Sequence, residues 1–462
     1  MKKLILLTLA LITMIGVLAA CNSDSTAPSG GTPDSSAPKS SDTLSANEEN
    51  DNPSTQQGRV INVVSPEFVL SDGFIEPIEK QTAAPDGFIP ISTAEDFNKI
   101  RLNAAGKYIL MDDIDLSSFE EWKYVSTGGT YLNFEGILDG NGFTVKGFET
   151  SLFQKLDGGV VQNLAVELNG RSMVNTAQDA TIINCHSSGH VAFTGGVFNN
   201  QNGAGGIVSV AHRTTIQSCY NEAQLNVDGK SCIGGIAGNI RNVTIQNCYN
   251  TGNITASSAG GIAGGFTIKT PSEKNDSTIS GCYNAGNILC SSFAYGIFGC
   301  GVGTGTSIDT CYNTGTVESA SSGSACGISG GGISSDRNDI SNCYNAGIII
   351  NSMEAPGGDA RAHFNAAVGI SDSSYAVVRS CYSIGQIEGY YAGGIGRSKD
   401  LENCYFMDNV ESATPDGALL ANVAKLTDIQ MQETTSFAGF DFDNVWTMGD
   451  ATYPYPVFKS LY

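Results

Sequence analysis

A cysteine recurs eight times between Cys185 and Cys404, and seven of the eight precede a tyrosine. The pairs are Cys185-His186, Cys219-Tyr220, Cys248-Tyr249, Cys282-Tyr283, Cys311-Tyr312, Cys343-Tyr344, Cys381-Tyr382 and Cys404-Tyr405, with cysteines 34, 29, 34, 29, 32, 38 and 23 residues apart. A second motif alternates with them: Gly205-Gly206-Ile207, Gly234-Gly235-Ile236, Gly260-Gly261-Ile262, Tyr295-Gly296-Ile297, Cys326-Gly327-Ile328, Val368-Gly369-Ile370 and Gly393-Gly394-Ile395. Two motifs alternating at a period of about 30 residues specify a solenoid, in which coils stack around one continuous core. That pattern replaces the two or three globular domains that 462 residues would otherwise suggest.

The coils are built of strands. Glycine is abundant, at 56 residues, and only 15% of the chain is charged, which is the wrong balance for long surface helices. Short β-branched pieces such as Val243-Thr244-Ile245 and Ile348-Ile349-Ile350 are bounded by Gly, Asn and Ser and read as strands. In the unit from Val243 to Phe266, one strand covers Val243-Thr244-Ile245. A second begins at Cys248-Tyr249 and continues through Ile254-Thr255-Ala256, and a third covers Gly261-Ile262-Ala263. Ile245, Ile254 and Ile262 are expected inside, with Asn247, Asn250 and Gly252 at corners where left-handed backbone is tolerated. The Asn-Cys corner interrupts strict alternation, so period alone leaves open whether cysteine or tyrosine faces inward. The reading adopted is cysteine in and tyrosine out.

The thirteen cysteines form no zinc pattern, since no C-x-x-C occurs. Neighbours on the ladder would stand one strand spacing apart, about 4.8 Å. That is within disulfide reach, but parallel side-chain vectors suit the bond poorly. Most are therefore expected as buried small hydrophobes, with a few disulfides still open. Cys232, Cys290, Cys300 and Cys326 lie off the ladder.

In chain order, residues 1–20 carry Lys2 and Lys3, an apolar run from Leu4 to Leu18, and Ala19-Ala20, the layout of an export signal. Leu18-Ala19-Ala20-Cys21 looks like a bacterial lipobox, which would make Cys21 the lipidated N-terminus of the mature chain and its membrane anchor. Residues 21–58 are a Ser/Pro/Gly-rich disordered tether with almost nothing apolar to bury. Residues 59–86 are an extended segment, expected either to lie against the β-helix or to remain loose. The β-helix itself is expected over 87–410 and a C-terminal capping segment over 411–462. Ser92-Thr93-Ala94-Glu95 reads as a capping box opening a helix over about 93–103, with Ala94, Phe97, Ile100 and Ala104 on its apolar side. That helix would blunt the open edge of the first coil. Thr427-Asp428-Ile429-Gln430 is a second capping box. The aromatics Phe437, Phe440, Phe442, Trp446, Tyr453 and Tyr455 after it are expected to close the other end, over the last coil.

Several segments resemble bacterial surface proteins with GLUG motifs. They are Tyr108 to Leu116, Phe134 to Val145, Ser151-Leu152-Phe153, the Gly-Gly-Ile-Ala-Gly segments at 234–238 and 260–264, and the Cys-Tyr-Asn-Thr-Gly segments at 248–252 and 311–315. The C-terminal stretch from Leu426 to Tyr455 is similar to the end of such proteins, so the resemblance covers about residues 90–462. It implies an all-β fold, a right-handed parallel β-helix with short capping helices, on an exported lipoprotein anchored at the cell surface. It implies no particular reaction.

A net charge of −22 excludes a nucleic-acid binder, which needs a basic footprint. Parallel β-helices of the pectin-lyase type include polysaccharide lyases and hydrolases, which need clustered acids with a base or facing carboxylates. Within 205–265 the only charged residues are Arg213, Glu222, Asp228, Lys230 and Arg241, and none recurs in register. No catalytic residue, metal site or cofactor is therefore assigned. His186, His190, His212 and His363 form no H-E-x-x-H, and Asp112, Asp113 and Asp115 read as turn residues rather than a calcium cluster. Candidate binding residues are the column Tyr220, Tyr249, Tyr283, Tyr312, Tyr344, Tyr382 and Tyr405. Facing outward, it could stack on sugar rings or a protein partner; stacked coil on coil, it would only stiffen the solenoid. The insertion 351–365, with Asp359, Arg361 and His363, is a second candidate. The expected role is adhesion or glycan and protein binding by a monomeric, membrane-tethered rod. A polysaccharide-cleaving enzyme and a passive envelope spacer are the alternatives.

Overall fold

The computed structural model of the chain describes residues 78–122, 132–196, 203–229, 232–265, 275–299, 305–321, 323–330, 338–353, 365–398, 400–418 and 420–459. Its strands wind into stacked coils, each pairing in parallel with its counterpart one coil on, which is a parallel β-helix. A first sheet of 12 strands runs in coil order from Ile89–Ile91 to Asp400–Glu402. A second contains the Tyr-Asn strands, such as Tyr249–Asn250, and the longer strands that come after them, such as Ile254–Gly260. A third runs from Asn133–Phe134 to Ala263–Gly265 and continues through bridges at Phe298 to Ser329–Gly330 and Ser371–Asp372.

The reading of one coil holds in outline, with the third strand at Ala263–Gly265 and Gly261-Ile262 in the bend before it. Thr244–Gln246, Tyr249–Asn250, Ile254–Gly260 and Ala263–Gly265 are its strands, and Ile245, Cys248, Ile254 and Ile262 are buried inside. The residue before every ladder cysteine has left-handed backbone: Asn184, Ser218, Asn247, Gly281, Thr310, Asn342, Ser380 and Asn403 all have φ near +50° to +60°. This local reversal turns the cysteine inward and aims the next side chain out of the coil.

Asn250 is not a corner residue. Asn221, Asn250, Asn284, Asn313 and Asn345 are fully buried in register, and each side-chain N–H donates to the Oδ1 of the next at 2.7–2.9 Å. The second N–H of each turns back to a carbonyl two residues on, as from Asn284 to Gly286 at 2.8 Å. Ser187 closes one end of this ladder, donating to Asn221 at 2.8 Å, and Ser383 closes the other. An amide is donor and acceptor at once, so identical residues one strand apart satisfy each other without water. The ladder also explains the second motif. A Cβ on Gly235, Gly261, Gly296 or Gly327 would approach Asn250, Asn284, Asn313 or Asn345 to 2.4–2.8 Å. The Gly-Ile motif recurs because the carbonyl of the next coil's motif glycine, closest of all at these four, and the asparagine of the Cys-Tyr-Asn motif together occupy the space a side chain would need.

At the N-terminal end, Ala94–Asn98 is α-helical and Lys99–Leu102 continues it as a 3-10 turn. The cap is Thr93 rather than Ser92, because the Thr93 hydroxyl accepts from the Asp96 amide. Phe97 and Ile100 enter the core, while Leu102, off that stripe, is 86% exposed. Residues 78–86 lie against the first coils: Gln81 exchanges backbone hydrogen bonds of 2.7 and 3.0 Å with the Asn141 side chain. Lys80 sits 3.8 Å over the Phe143 ring. Asp112 and Asp115 accept from the nearby backbone N–H of Asp113 and Ser117, as turn residues do, while Asp113 accepts from Thr144 of the next coil.

Replacing Asn284 by Ala is expected to destabilise the fold by about 3 kcal/mol, because its ladder neighbours lose their partners in a dry core. The exposed Thr255→Ala should stay within about 0.5 kcal/mol of the parent. Chemical denaturation of the two variants measures the contrast.

Candidate functional site

The tyrosine column leaves the coil on the side opposite the cysteines, but solvent does not reach most of it. His186, Tyr220, Tyr249, Tyr283, Tyr312, Tyr344 and Tyr382 form one continuous stack, with ring centroids 4.7–5.1 Å apart and planes within 8° of parallel. The spacing is that of the strands carrying the rings. The C-terminal aromatics then close over this flank. Phe458 lies 5.5 Å from Tyr344, Trp446 lies 5.9 Å from Tyr382, and Phe437 lies 5.1 Å from Tyr405. The Tyr382 hydroxyl donates to the Pro456 carbonyl and meets the Tyr453 hydroxyl at 3.2 Å. Tyr249, Tyr283, Tyr312, Tyr344, Tyr382 and Tyr405 are consequently at most 7% exposed.

This corrects two expectations. The tyrosine faces are filled by neighbouring rings, so Tyr249, Tyr283, Tyr312, Tyr344, Tyr382 and Tyr405 offer no platform to a sugar; Tyr220 is half-buried against His186. The tail aromatics bury this flank instead of the end of the last coil. Covering the stack of phenol rings buries the apolar surface of both partners. Thr427 and Gln430 do form the reciprocal capping box, at 2.9 and 3.3 Å, at the start of that tail. Asp359, Arg361, His363 and Cys21 lie outside the described residues.

The eight ladder cysteines are free and fully buried. Each thiol leans on a carbonyl two residues back, as Cys248 on Gln246 at 3.3 Å, and several accept an N–H from the preceding coil, as Cys248 from Cys219 at 3.3 Å. Burial pushes the Cys248, Cys282 and Cys343 thiols well above their ordinary range, and Cys290 up to about 12. Cys219 and Cys311 are instead drawn below their ordinary range, against the effect of burial, by hydrogen bonds from the neighbouring cysteines of the ladder.

Sequence reasoning missed two features. The first is a buried ion pair: Arg397 donates to Asp372 at 2.8 Å, and the Ser324 hydroxyl donates to the other carboxylate oxygen. The carboxylate is satisfied from both sides and ties three coils together.

The second feature is a cavity of about 730 Å³ at the mouth of the last coil. Its floor is Phe406, which stands in register with Ser383 and so takes the next place in the asparagine column. Ala392, in register with the core residue Ala367, lines it as well. One wall is the segment 412–415, hydrogen-bonded to Gly394, Ile395 and Gly396 at 2.9–3.0 Å. Another contains Val423 and Lys425, on the strand Val423–Leu426 that pairs with Cys404–Met407. A Cβ on Gly394 would come within 2.3 Å of the Phe406 ring, and one on Gly393 within 2.8 Å of Pro415, so the last Gly-Gly-Ile motif lets this wall close in. At the rim stand Glu411, Lys425 and Tyr390. Tyr390 is 64% exposed and is propped edge-on against Tyr391, 4.7 Å away. The lining is polar and apolar in about equal measure, Phe406, Leu420 and Val423 standing beside Glu411, Ser412 and Lys425. The only sequence signal for it is the phenylalanine that breaks the Asn column at 406.

Burial raises the pKa of Tyr249, Tyr283 and Tyr382 above the ordinary tyrosine value. Because the folded value lies above the unfolded one, this stabilisation is intact below pH about 10 and is lost as pH rises further. The tyrosinate absorbance of these buried rings is therefore expected to appear together with unfolding in an alkaline titration. Tyr344→Ala should cost about 4 kcal/mol and Tyr220→Ala markedly less; thermal melts of both variants check this.

No family model matches the chain, and no curated protein matches it in sequence. Among solved structures it is similar to a putative immunoglobulin A1 protease from Bacteroides ovatus, at 16% identity over 84% of this chain and 96% of that one, with a TM-score of 0.27. It is also similar to an IgA1 protease, at 13% identity over 79% of this chain and 25% of that one, with a TM-score of 0.34. Likeness at this level assigns no chemistry to the present chain.

Proposed function

We propose that the chain is a binding module displayed at a bacterial surface: a β-helix, held by lipid on Cys21, that attaches to an extracellular glycan or protein through the mouth of its last coil. The observation that carries this reading is the cavity over Phe406 with the exposed Tyr390 at its lip. The columns elsewhere favour rigidity over chemistry. Their asparagines, tyrosines and thiols are engaged with one another. Among the described residues no group of three or more His, Cys, Asp or Glu is placed to hold a metal ion. The acids most deeply engaged, Asp372 and Asp139, are saturated by Arg397, Ser324, Gln162 and Asn163. A scaffold of this kind suits attachment better than turnover.

The test is retention of the purified chain on immobilised saccharides and extracellular-matrix proteins. Saturable binding to a member of the panel is expected, weakened about tenfold by Tyr390→Ala, the size of one aromatic anchor. Tyr220→Ala should leave it unchanged. Retention that never saturates, or that ignores Tyr390→Ala, would sink the reading. In cells, Cys21→Ser is expected to abolish incorporation of a labelled fatty acid.

A further inference from the structure

We infer that the mouth takes a neutral saccharide, with one sugar face laid on the Tyr390 ring and its hydroxyls shared between Glu411 and Lys425. This rests on the binding reading above and names the class of ligand. The first support is the platform. Tyr390 is 64% exposed. Its neighbour Tyr391, 4.7 Å away and at 88° to it, packs against the buried cluster of Tyr295, Cys326, Ala366 and Val368. An exposed ring backed by core residues is in place before any ligand arrives, and its face suits the C–H side of a sugar ring.

The second support is the balance of the lining. Among the described residues that line the cavity, Glu411 and Lys425 are the only charged ones, one of each sign, and both are exposed. The Lys425 ammonium donates to the Glu411 carbonyl at 2.9 Å, which holds the cation beside the acid. A carboxylate only accepts and an ammonium only donates, whereas a hydroxyl does both. Hydroxyls on adjacent carbons can therefore bridge the two, while an ionised ligand would meet one of them with its own sign. The net charge of −22 disfavours an anionic sugar further. Phe406 and Val423 leave apolar surface for the ring carbons. The third support weighs against a peptide. A strand added along Asp400–Glu402 would compete for the Leu401 carbonyl, which already accepts from the Asn422 side chain at 3.2 Å.

The probes are neutral trisaccharides of glucose, mannose, galactose and N-acetylglucosamine, with trigalacturonate as the anionic counterpart, titrated calorimetrically into the purified chain. Saturable binding of at least one neutral sugar is expected, changing less than about twofold as salt is raised, because no net charge is neutralised. Trigalacturonate should not bind. Tyr390→Ala and Glu411→Ala alter exposed side chains and should leave the melting temperature unchanged, yet each should weaken binding about tenfold. Tyr390→Phe keeps the ring and should keep most of the affinity. Binding of trigalacturonate alone, neutral-sugar binding that weakens steeply with salt, or indifference to Glu411→Ala overturns the inference. If no saccharide binds but a matrix protein is retained in a manner sensitive to Tyr390→Ala, this inference falls and the binding reading stands. If nothing binds, both fall.

Discussion

Hydrogen bonding from each coil to the next holds equivalent residues one strand spacing apart, and the rest of the molecule is a consequence of that enforced proximity. At about 4.8 Å a side chain's nearest neighbour is its own copy. Only residue types that tolerate themselves can occupy a column. Asparagine does so because its amide gives and receives; cysteine because it is small and uncharged when buried; tyrosine because its ring is flat. A charge in such a column would face a like charge above and below. Among the described residues the stacked asparagine, cysteine and tyrosine columns accordingly carry none.

The glycines belong to the same account. Those of the Gly-Ile motif lie against the asparagine amides, and Gly252, Gly286, Gly315, Gly347 and Gly385 stack on one another so closely that a Cβ would meet a carbonyl of the preceding coil at 2.0–2.2 Å. A fold built on close approach thus uses glycine where another solenoid would use bulk. The cost is backbone entropy in the unfolded chain, offset by ladders in which the asparagine amides satisfy one another.

The two ends are finished differently. At the first coil a short helix delivers Phe97 and Ile100 to the core, and a strap anchored on Asn141 crosses the turn beside it. At the last coil the obvious plug, the aromatic tail, is used elsewhere. It lies along the tyrosine flank, where it can bury Trp446, Phe458 and Tyr453 against a continuous apolar ribbon. Among the described residues, the segments 411–418 and 420–426 line the mouth of the last coil, with the cavity between them and Phe406.

The sequence by itself determined the solenoid, the approximate strands of each coil and the capping box at Thr427, because these depend on periodicity and on contacts a few residues apart, whereas the inward turn of the cysteines and the cap at Thr93 rather than Ser92 were read from the structure. It also named the interleaved motifs, though not why they alternate: the clash of Gly261 with Asn284 is between residues 23 positions apart. Only the tertiary structure decided that Asn250 lies inside, that the tyrosines are shut off and that the mouth is open. Each of those outcomes depends on what a distant segment covers. An outward side chain can be recognised from its register, but whether water reaches it depends on where the tail comes to rest. That is fixed by the total apolar area the tail can bury, which local pattern does not encode.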